Sequence, residues 1–317
     1  MSEVVLKAQG LSKRYGDLLA VDDLSIEVQR GEVFGFLGPN GAGKTTSINM
    51  ICGLLEPDSG TVSIDGDAIR GRDEALRTRL GVCPQDIVVW QRLTCREQLE
   101  FMGEMYALPR QTAIARSRQL LADLDLIEKQ DIQARALSGG MQRRLNLALA
   151  LVHDPQIVIL DEPGAGLDPQ SRVKVRQYIH ALARSKTIIL TTHNMDEAER
   201  LADRVAIIDR GRLLELDTPA ALKRRVGEGD VVEIEIAAQI DAAVKAAVEK
   251  ALKPAVNDVH LDLENKQITV RALNAVGKLP TIIETLEAQD VPVGEMRLRE
   301  NTLEDVFIQL TGRRLRS

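Results

Sequence analysis

Aromatic residues make up only 3% of this 317-residue chain, with a single tryptophan among them. That scarcity argues against a nucleic-acid reader that stacks bases on side chains. The net charge is −6 and no long basic stripe occurs, so the electrostatic footprint of polyanion binding is missing too. No nucleic-acid partner is expected. No apolar run approaches the ~20 residues that cross a bilayer. The opening MSEVVLKAQG has no basic stretch followed by an apolar core, so no signal peptide is visible. Cys52, Cys83 and Cys95 are odd in number and form no CxxC pair. Neither a disulfide framework nor a zinc site is indicated, and each reads as a small buried hydrophobe in a reducing cytosol. The basic clusters Lys223–Arg225 and Arg313–Arg316 read as solvated surface, with an acidic partner or a lipid headgroup as the other reading. What remains is a soluble cytoplasmic chain, 44% hydrophobic, long enough for about two domains.

The first ~65 residues read mostly as strands. Ser25–Val28 alternate, Val33–Leu37 form a short apolar run, and Thr61–Ile64 alternate before the turn Asp65-Gly66. From Glu97 to Gln130 the period becomes helical, broken at Pro109, with Ile114, Leu120, Leu121, Leu124 and Leu126 as its apolar face. Beyond Gly140 helices and strands alternate: Arg143–Val152, Ile157–Leu160, Gln170–Ala183, Thr187–Leu190. Continuously apolar strands between helices predict a parallel sheet covered on both faces, an α/β fold. Near Val226–Gly229 the character changes. Strand Val231–Ile236, helix Ile240–Leu252, two strands around Glu264–Lys266, helix Leu279–Ala288, strand Glu295–Arg299 and a last helix capped by Thr302 with Asp305 follow. The βαββαβ order predicts a small ferredoxin-like accessory domain.

Gly38-Pro39-Asn40-Gly41-Ala42-Gly43-Lys44-Thr45-Thr46 fits G-x-x-x-x-G-K-[ST], with a buried strand before it and a helix-compatible run, Ser47–Leu55, after it. In such a loop backbone N–H groups curl around phosphate oxygens, the lysine adds a point charge and the hydroxyl after it can ligate Mg²⁺. Asp161 and Glu162 follow the apolar strand Ile157–Leu160 at its C-terminal end, where ligands of open α/β sheets sit. Asp161 suits Mg²⁺, directly or through water, and Glu162 suits orienting or deprotonating the attacking water. The plainer reading of the pair is a helix-capping acidic step before Pro163. His193 ends another apolar strand and by itself would be a structural histidine. Gln85 alone is a loop amide, and Tyr15 is either a core aromatic or a side chain that stacks on a base. In LSGGMQRR, residues 137–144, two glycines precede a run that favours helix. With Ser138 as N-cap, the stretch predicts a capped helix start whose bare N–H groups face outward, a place for an anion.

In this order the motifs resemble the nucleotide-binding subunits of ATP-binding-cassette (ABC) transporters, over residues 3–226. Tyr15 matches the aromatic A-loop, Gly38–Thr46 Walker A, Gln85 the Q-loop and Leu137–Met141 the signature. Ile157–Glu162 matches Walker B, Gly166-Leu167-Asp168 the D-loop and His193 the H-loop switch. Leu303–Gly312 and His193–Glu199 resemble a narrower group, the ATPase subunits of ABC-2-type exporters similar to the daunorubicin-resistance type. The sequence departs from the common pattern at Met141, where the family more often has Gln, and at Gly164, where it usually has Thr.

The resemblance implies a P-loop cassette over residues 1–227, with an antiparallel β subdomain, a mixed or parallel core sheet and a helical subdomain at about 90–153. An accessory α+β domain follows over 228–317. It implies ATP and Mg²⁺ as ligands, with Thr45, Gln85 and Asp161 on the metal, and Glu162, His193, Gln85 and Lys44 as catalytic residues. Tyr15, Gly38–Thr46 and Asp168 would line the nucleotide. Ser138, Gly139 and Gly140 would cover the γ-phosphate of ATP held by the opposite subunit of a head-to-tail dimer. With no spanning segment in the chain, a separate integral-membrane permease of ABC-2 type would supply the pathway, placing the chain on the inner face of the cell membrane. Trp90, among Ile87, Val88 and Val89 on the loop Asp86–Thr94, is either a permease anchor or packs against the helical insert. Two other functions are open: a soluble cassette ATPase acting on ribosomes or DNA, and a regulator that binds nucleotide without hydrolysing it.

Overall fold

The computed structural model describes residues 3–69, 78–225, 229–236, 242–254, 256, 258–262 and 267–312. The chain divides into two compact units between Pro219 and Ala220. The expected boundary at 227/228 lies outside the described residues.

In the first unit, β1 (Val4–Tyr15) and β2 (Leu18–Gln29) form a long antiparallel pair, joined by β4 (Ser59–Ile64) and β5 (Asp67–Ala68) in the order β2-β1-β4-β5. A second sheet has six strands in the order β10-β9-β3-β8-β7-β6: β3 (Val33–Leu37), β6 (Leu80–Cys83), β7 (Ile157–Asp161), β8 (Thr187–Thr192), β9 (Arg204–Asp209) and β10 (Arg212–Asp217). Its neighbours pair in parallel except β9 with β10, so the sheet is mixed. Every residue of β3, β7 and β8 is buried. Each buried Val, Leu, Ile or Phe contributes about 1.5–3 kcal/mol of transfer free energy, which is why these strands are mostly apolar rather than alternating.

One core joins the two sheets. Leu6, Leu11 and Val62 from the antiparallel sheet meet Phe34, Ile157, Ile189 and Ala206 from the mixed one, with Ile48 and Ile51 of α1 (Lys44–Ile51) between them. Four further helices pack in this unit: α2 (Cys95–Met105), α3 (Arg110–Asp123), α4 (Gly139–Leu151) and α5 (Pro169–Ala183). The short α6 (Met195–Leu201) follows, and α7 (Pro219–Arg225) begins at the last residue of this unit and runs into the second. α2 begins at a capping box made by Thr94 and Glu97, and such a cap is worth about 1 kcal/mol. Leu120, Leu121, Leu124 and Leu126 are buried as expected, but Ile114 is 43% exposed; Ala113 and Ser117 face inward in its place. One of the three cysteines lies in α2, and all three are buried and free. No helix among the described residues is long and apolar enough to cross a membrane.

The second unit contains β11 (Asp230–Ile236), α8 (Ala242–Leu252), β12 (Asp258–Asp262), β13 (Gln267–Ala272), α9 (Ala275–Glu287), β14 (Val293–Arg299) and α10 (Leu303–Thr311). Its sheet order is β12-β13-β11-β14 with every pair antiparallel, the split βαβ arrangement of the ferredoxin-like fold. Val232, Ile234, Ile268 and Val270 face Val248, Leu252, Ile282 and Leu286 of α8 and α9 in a core of its own. Asp305 closes a capping box with Thr302 and takes both guanidinium arms of Arg299, at 2.7 and 2.9 Å.

Candidate functional site

Parallel pairing brings three strand ends together. Leu37 is level with Thr192 and Asp161 with Thr191, so the segments after β3, β7 and β8 emerge side by side from the C-terminal edge of the sheet. Gly38–Gly43 leave β3 and enter α1 at Lys44. Gly43, its N-cap residue, has φ +100°, and a Cβ there would lie 2.4 Å from the carbonyl oxygen of Ala20. Only glycine lets the backbone turn so tightly.

Lys44 is buried. Its ammonium donates to the carbonyls of Gly38 (2.7 Å) and Pro39 (3.2 Å) and lies 3.4 Å from Glu162 Oε1. Burial pulls its pKa below the ordinary lysine value against the opposing pull of Glu162 and Asp161. The Thr45 hydroxyl donates to Asp161 Oδ2 at 3.1 Å, and the Thr191 hydroxyl donates to Asp161 Oδ1. A hydroxyl beside a carboxylate is the hard-oxygen donor set that suits Mg²⁺, which takes one or two carboxylates and completes its shell with water and phosphate. Among the described residues no cluster of three or more His, Cys, Asp or Glu forms a closed metal cage.

Glu162 follows directly in a left-handed conformation, φ 50°, which costs a side-chain-bearing residue about 1–2 kcal/mol. Its N–H donates to the Thr191 hydroxyl at 3.0 Å and the Thr191 carbonyl at 3.2 Å. Its Oε2 pairs with His193 Nδ1 at 2.8 Å, while the buried Oε1 has no hydrogen-bond donor. A buried carboxylate oxygen without a donor, turned toward the P-loop lysine, fits a group that receives a proton or holds a water. The helix-cap reading of Asp161-Glu162 is set aside: no helix begins at Pro163. His193 is half-exposed and bonds to Glu162.

Tyr15 ends β1 with half its surface exposed, so it is not a core aromatic. Gln85 is exposed and bonds through its main-chain carbonyl. Trp90 meets Phe101 of α2 edge to face with ring centroids 5.5 Å apart, so it packs on the helical insert while remaining partly exposed.

The signature residues form a second set. Ser138 caps α4 by accepting from the Met141 N–H, and Asp168 caps α5 by accepting from the Ser171 N–H. Hydrogen bonds from the Ser171 side chain and, next, its N–H hold the Asp168 carboxyl below its ordinary pKa. The two glycines differ. A Cβ on Gly139 would meet nothing within 4 Å, whereas one on Gly140 would lie 2.3 Å from Ser171 Oγ. Gly140 thus lets α4 approach the start of α5, and Gly139 leaves the turn bare. At Gly164 a Cβ would stand 2.5 Å from Oε1 of the buried Glu197. Glu197 accepts from the Thr192 hydroxyl at 2.7 Å, and burial raises its pKa. The departure from Thr at position 164 makes room for that carboxylate.

Residues the motifs did not flag tie these segments together. Thr191 holds both acidic residues from within an apolar strand. Arg143 and Asn146, one turn apart on α4, reach main-chain atoms around Gln85 and Glu162. The signal available was their spacing: Asn146 is the one polar residue in the apolar run Leu145–Leu151, and Arg143, three residues before it, shares its face.

Comparison with known proteins agrees with this arrangement. The family profile described as "ABC transporter" matches residues 21–165. Nod factor export ATP-binding protein I of Ralstonia nicotianae is 39% identical over 99% of this chain and 96% of its own length. The chain belongs to the ATP-binding subunits of ABC transporters. It is therefore an ATPase of that family, and ATP is its nucleotide. A daunorubicin resistance ATP-binding protein of Streptomyces coeruleorubidus is 36% identical, covering 99% of this chain and 97% of that one. A solved dimeric ATP-binding cassette in a post-hydrolysis state, bound to ADP and phosphate, superposes with a TM-score of 0.62 at 25% identity; the match covers 67% of this chain and 98% of that one.

Proposed function

We propose that this ABC ATPase is the motor of an ABC-2-type exporter: two copies close head to tail on ATP, and hydrolysis reopens them to drive a separate membrane permease. The observation that carries this reading is the division of the site. Lys44, Thr45, Asp161, Glu162 and His193 converge by direct hydrogen bonds and ion pairs, whereas Ser138, Gly139, Gly140 and Asp168 gather at the N-termini of α4 and α5. The second set offers backbone N–H groups and helix-dipole charge, and its turn is left bare at Gly139, where a Cβ would meet nothing within 4 Å. Two copies arranged head to tail give each triphosphate both sets.

In that arrangement Lys44 and the loop amides of Gly38–Thr46 bind the phosphates, and Tyr15 stacks on the adenine. Thr45 and Asp161, with Gln85, hold Mg²⁺, which when bound neutralises charge on the phosphate oxygens. Glu162 orients the attacking water and takes its proton. His193 fixes the Glu162 carboxylate through Oε2 and stands beside the phosphate that leaves. ATP binds the closed pair better than the open one and shifts the equilibrium by that difference. Loss of the bridging charge on hydrolysis reverses it.

Support for a permease partner comes from the loop after Gln85. Ile87, Val88 and Trp90 are exposed there, with Phe101 beside Trp90, an apolar anchor of the kind that seats a partner. Export agrees with the relatives, which are named for Nod factor export and drug resistance. Affinity capture from membranes tests it: an integral membrane protein should co-purify and raise the ATPase rate, and recovery of ribosomes instead would restore the soluble-ATPase reading.

A further inference from the structure

Arg143 stands one turn inside α4 and is buried at 3% exposure. Its guanidinium spends all its N–H groups on main-chain carbonyls. Nη1 donates to Pro84 (2.8 Å) and Gln85 (2.7 Å). Nη2 donates to Asp161 (2.9 Å) and Glu162 (2.8 Å), and Nε to Pro163 (3.3 Å). Five donors in a rigid plane are what arginine alone provides; lysine has three on a single rotating atom.

These carbonyls belong to two segments: the end of β7 with its acidic pair, and the entry to the loop that carries Gln85 and Trp90. The left-handed main chain of Glu162 is thereby held from both sides, by Thr191 through its N–H and by Arg143 through its C=O. The loop is held further along by the same helix, since Asn146 donates to the Asp86 carbonyl at 3.4 Å and accepts from the Val88 N–H at 3.2 Å.

We infer that Arg143 is a positioning residue for hydrolysis, one guanidinium that sets the course of Glu162 and the entry of the Gln85 loop together. A displacement of that loop, such as a docked partner imposes, then reaches Glu162 through a single planar group rather than through the side chains of the site. The inference rests on Glu162 acting as the general base.

The test uses the full-length protein and steady-state ATP hydrolysis with Mg²⁺. Arg143→Lys keeps the charge and loses the fork. It should lower kcat roughly 10- to 100-fold, the cost of a misplaced catalytic group, and leave KM for ATP within about threefold. In Arg143→Ala, added methylguanidinium should restore part of the lost kcat. Trp90, the only tryptophan, reports on the loop: its fluorescence response to ATP in a Glu162→Gln background should disappear when Arg143→Lys is added. A folded Arg143→Lys protein with normal ATP affinity and kcat within about twofold of the parent overturns the inference, even if Arg143→Ala fails to fold. An undiminished Trp90 response in the double variant overturns the link to the loop. Glu162→Gln run in parallel separates the two ideas: turnover at the parental rate there defeats the general-base reading itself.

Discussion

The P-loop cluster and the signature turn lie on the same subunit and are finished in opposite ways. In the first, Asp161 is held by Thr45 and Thr191, and Glu162 by His193, Lys44, Thr191 and Arg143. Its geometry is set before any second copy arrives, which is what catalysis by positioning needs. In the second, Ser138 and Asp168 do no more than cap their helices, and Gly139 faces open space. On the proposed reading, the first is the half that does the chemistry and the second a docking turn completed from outside.

The sharpest break between the halves should come from Glu162→Gln. Losing a general base lowers turnover by about 10²–10⁴-fold, while ATP binding persists because Lys44 and the loop amides are untouched; hydrolysis at the parent rate would remove Glu162 from the chemistry. Next in size is Ser138→Arg, which places a bulky cation on the docking turn. It should abolish ATP-dependent dimerisation on gel filtration and reduce turnover at least about tenfold, with nucleotide binding to the single chain preserved. Undiminished dimerisation of that variant would count against the composite site.

The glycine pair provides a finer comparison. Gly140→Ala drives a Cβ into Ser171, whose Oγ and Cβ would be 2.3 and 2.9 Å away, and should cost about 1–3 kcal/mol in denaturant unfolding. Gly139→Ala meets nothing and should stay within about 0.5 kcal/mol of the parent. Equal effects would mean that the approach of α4 to α5 is not what requires Gly140.

A modest effect is expected in the second unit. Burial works to raise the Asp305 pKa, but the Arg299 guanidinium and the Thr302 N–H outweigh it and hold the carboxyl below its ordinary value of 3.8. A carboxyl whose folded pKa is depressed contributes stability that is fully present above its unfolded pKa and is lost as the pH falls through the folded one. Asp305→Ala should therefore destabilise the protein by about 1 kcal/mol at neutral pH, and the difference from the parent should vanish on acidification below pH 3.8. A difference that persists there would assign the effect to packing rather than to the carboxylate.

The two units also differ in how far they could be read beforehand. Val33–Leu37 matches β3 to the residue, because a strand buried on both faces is apolar without interruption. The βαββαβ order and the Thr302–Asp305 cap of the second unit were equally visible, since they rest on local periodicity and capping. The loop Gly38–Thr46 and the acidic pair Asp161-Glu162 of the candidate site were legible through motif spacing. What escaped was whatever depends on long-range contact. Ile114 fits a helical stripe by period, yet the neighbours of α3 bury Ala113 and Ser117 instead. Gly139 and Gly140 are identical in sequence, and only the approach of α5 separates them. Arg143 reads as one more cation in a basic run until five carbonyls, drawn from two distant segments, close around it. Asn274, left-handed at φ 53°, starts α9 four residues earlier than the periodicity indicates.

Sedimentation of Glu162→Gln, with and without MgATP, tests the central claim most directly. With nucleotide the particle should reach twice the 34.9 kDa chain mass and return to one chain when Ser138→Arg is added. A protein that binds ATP fully yet sediments as a single chain, or a double variant that still pairs, would contradict the account.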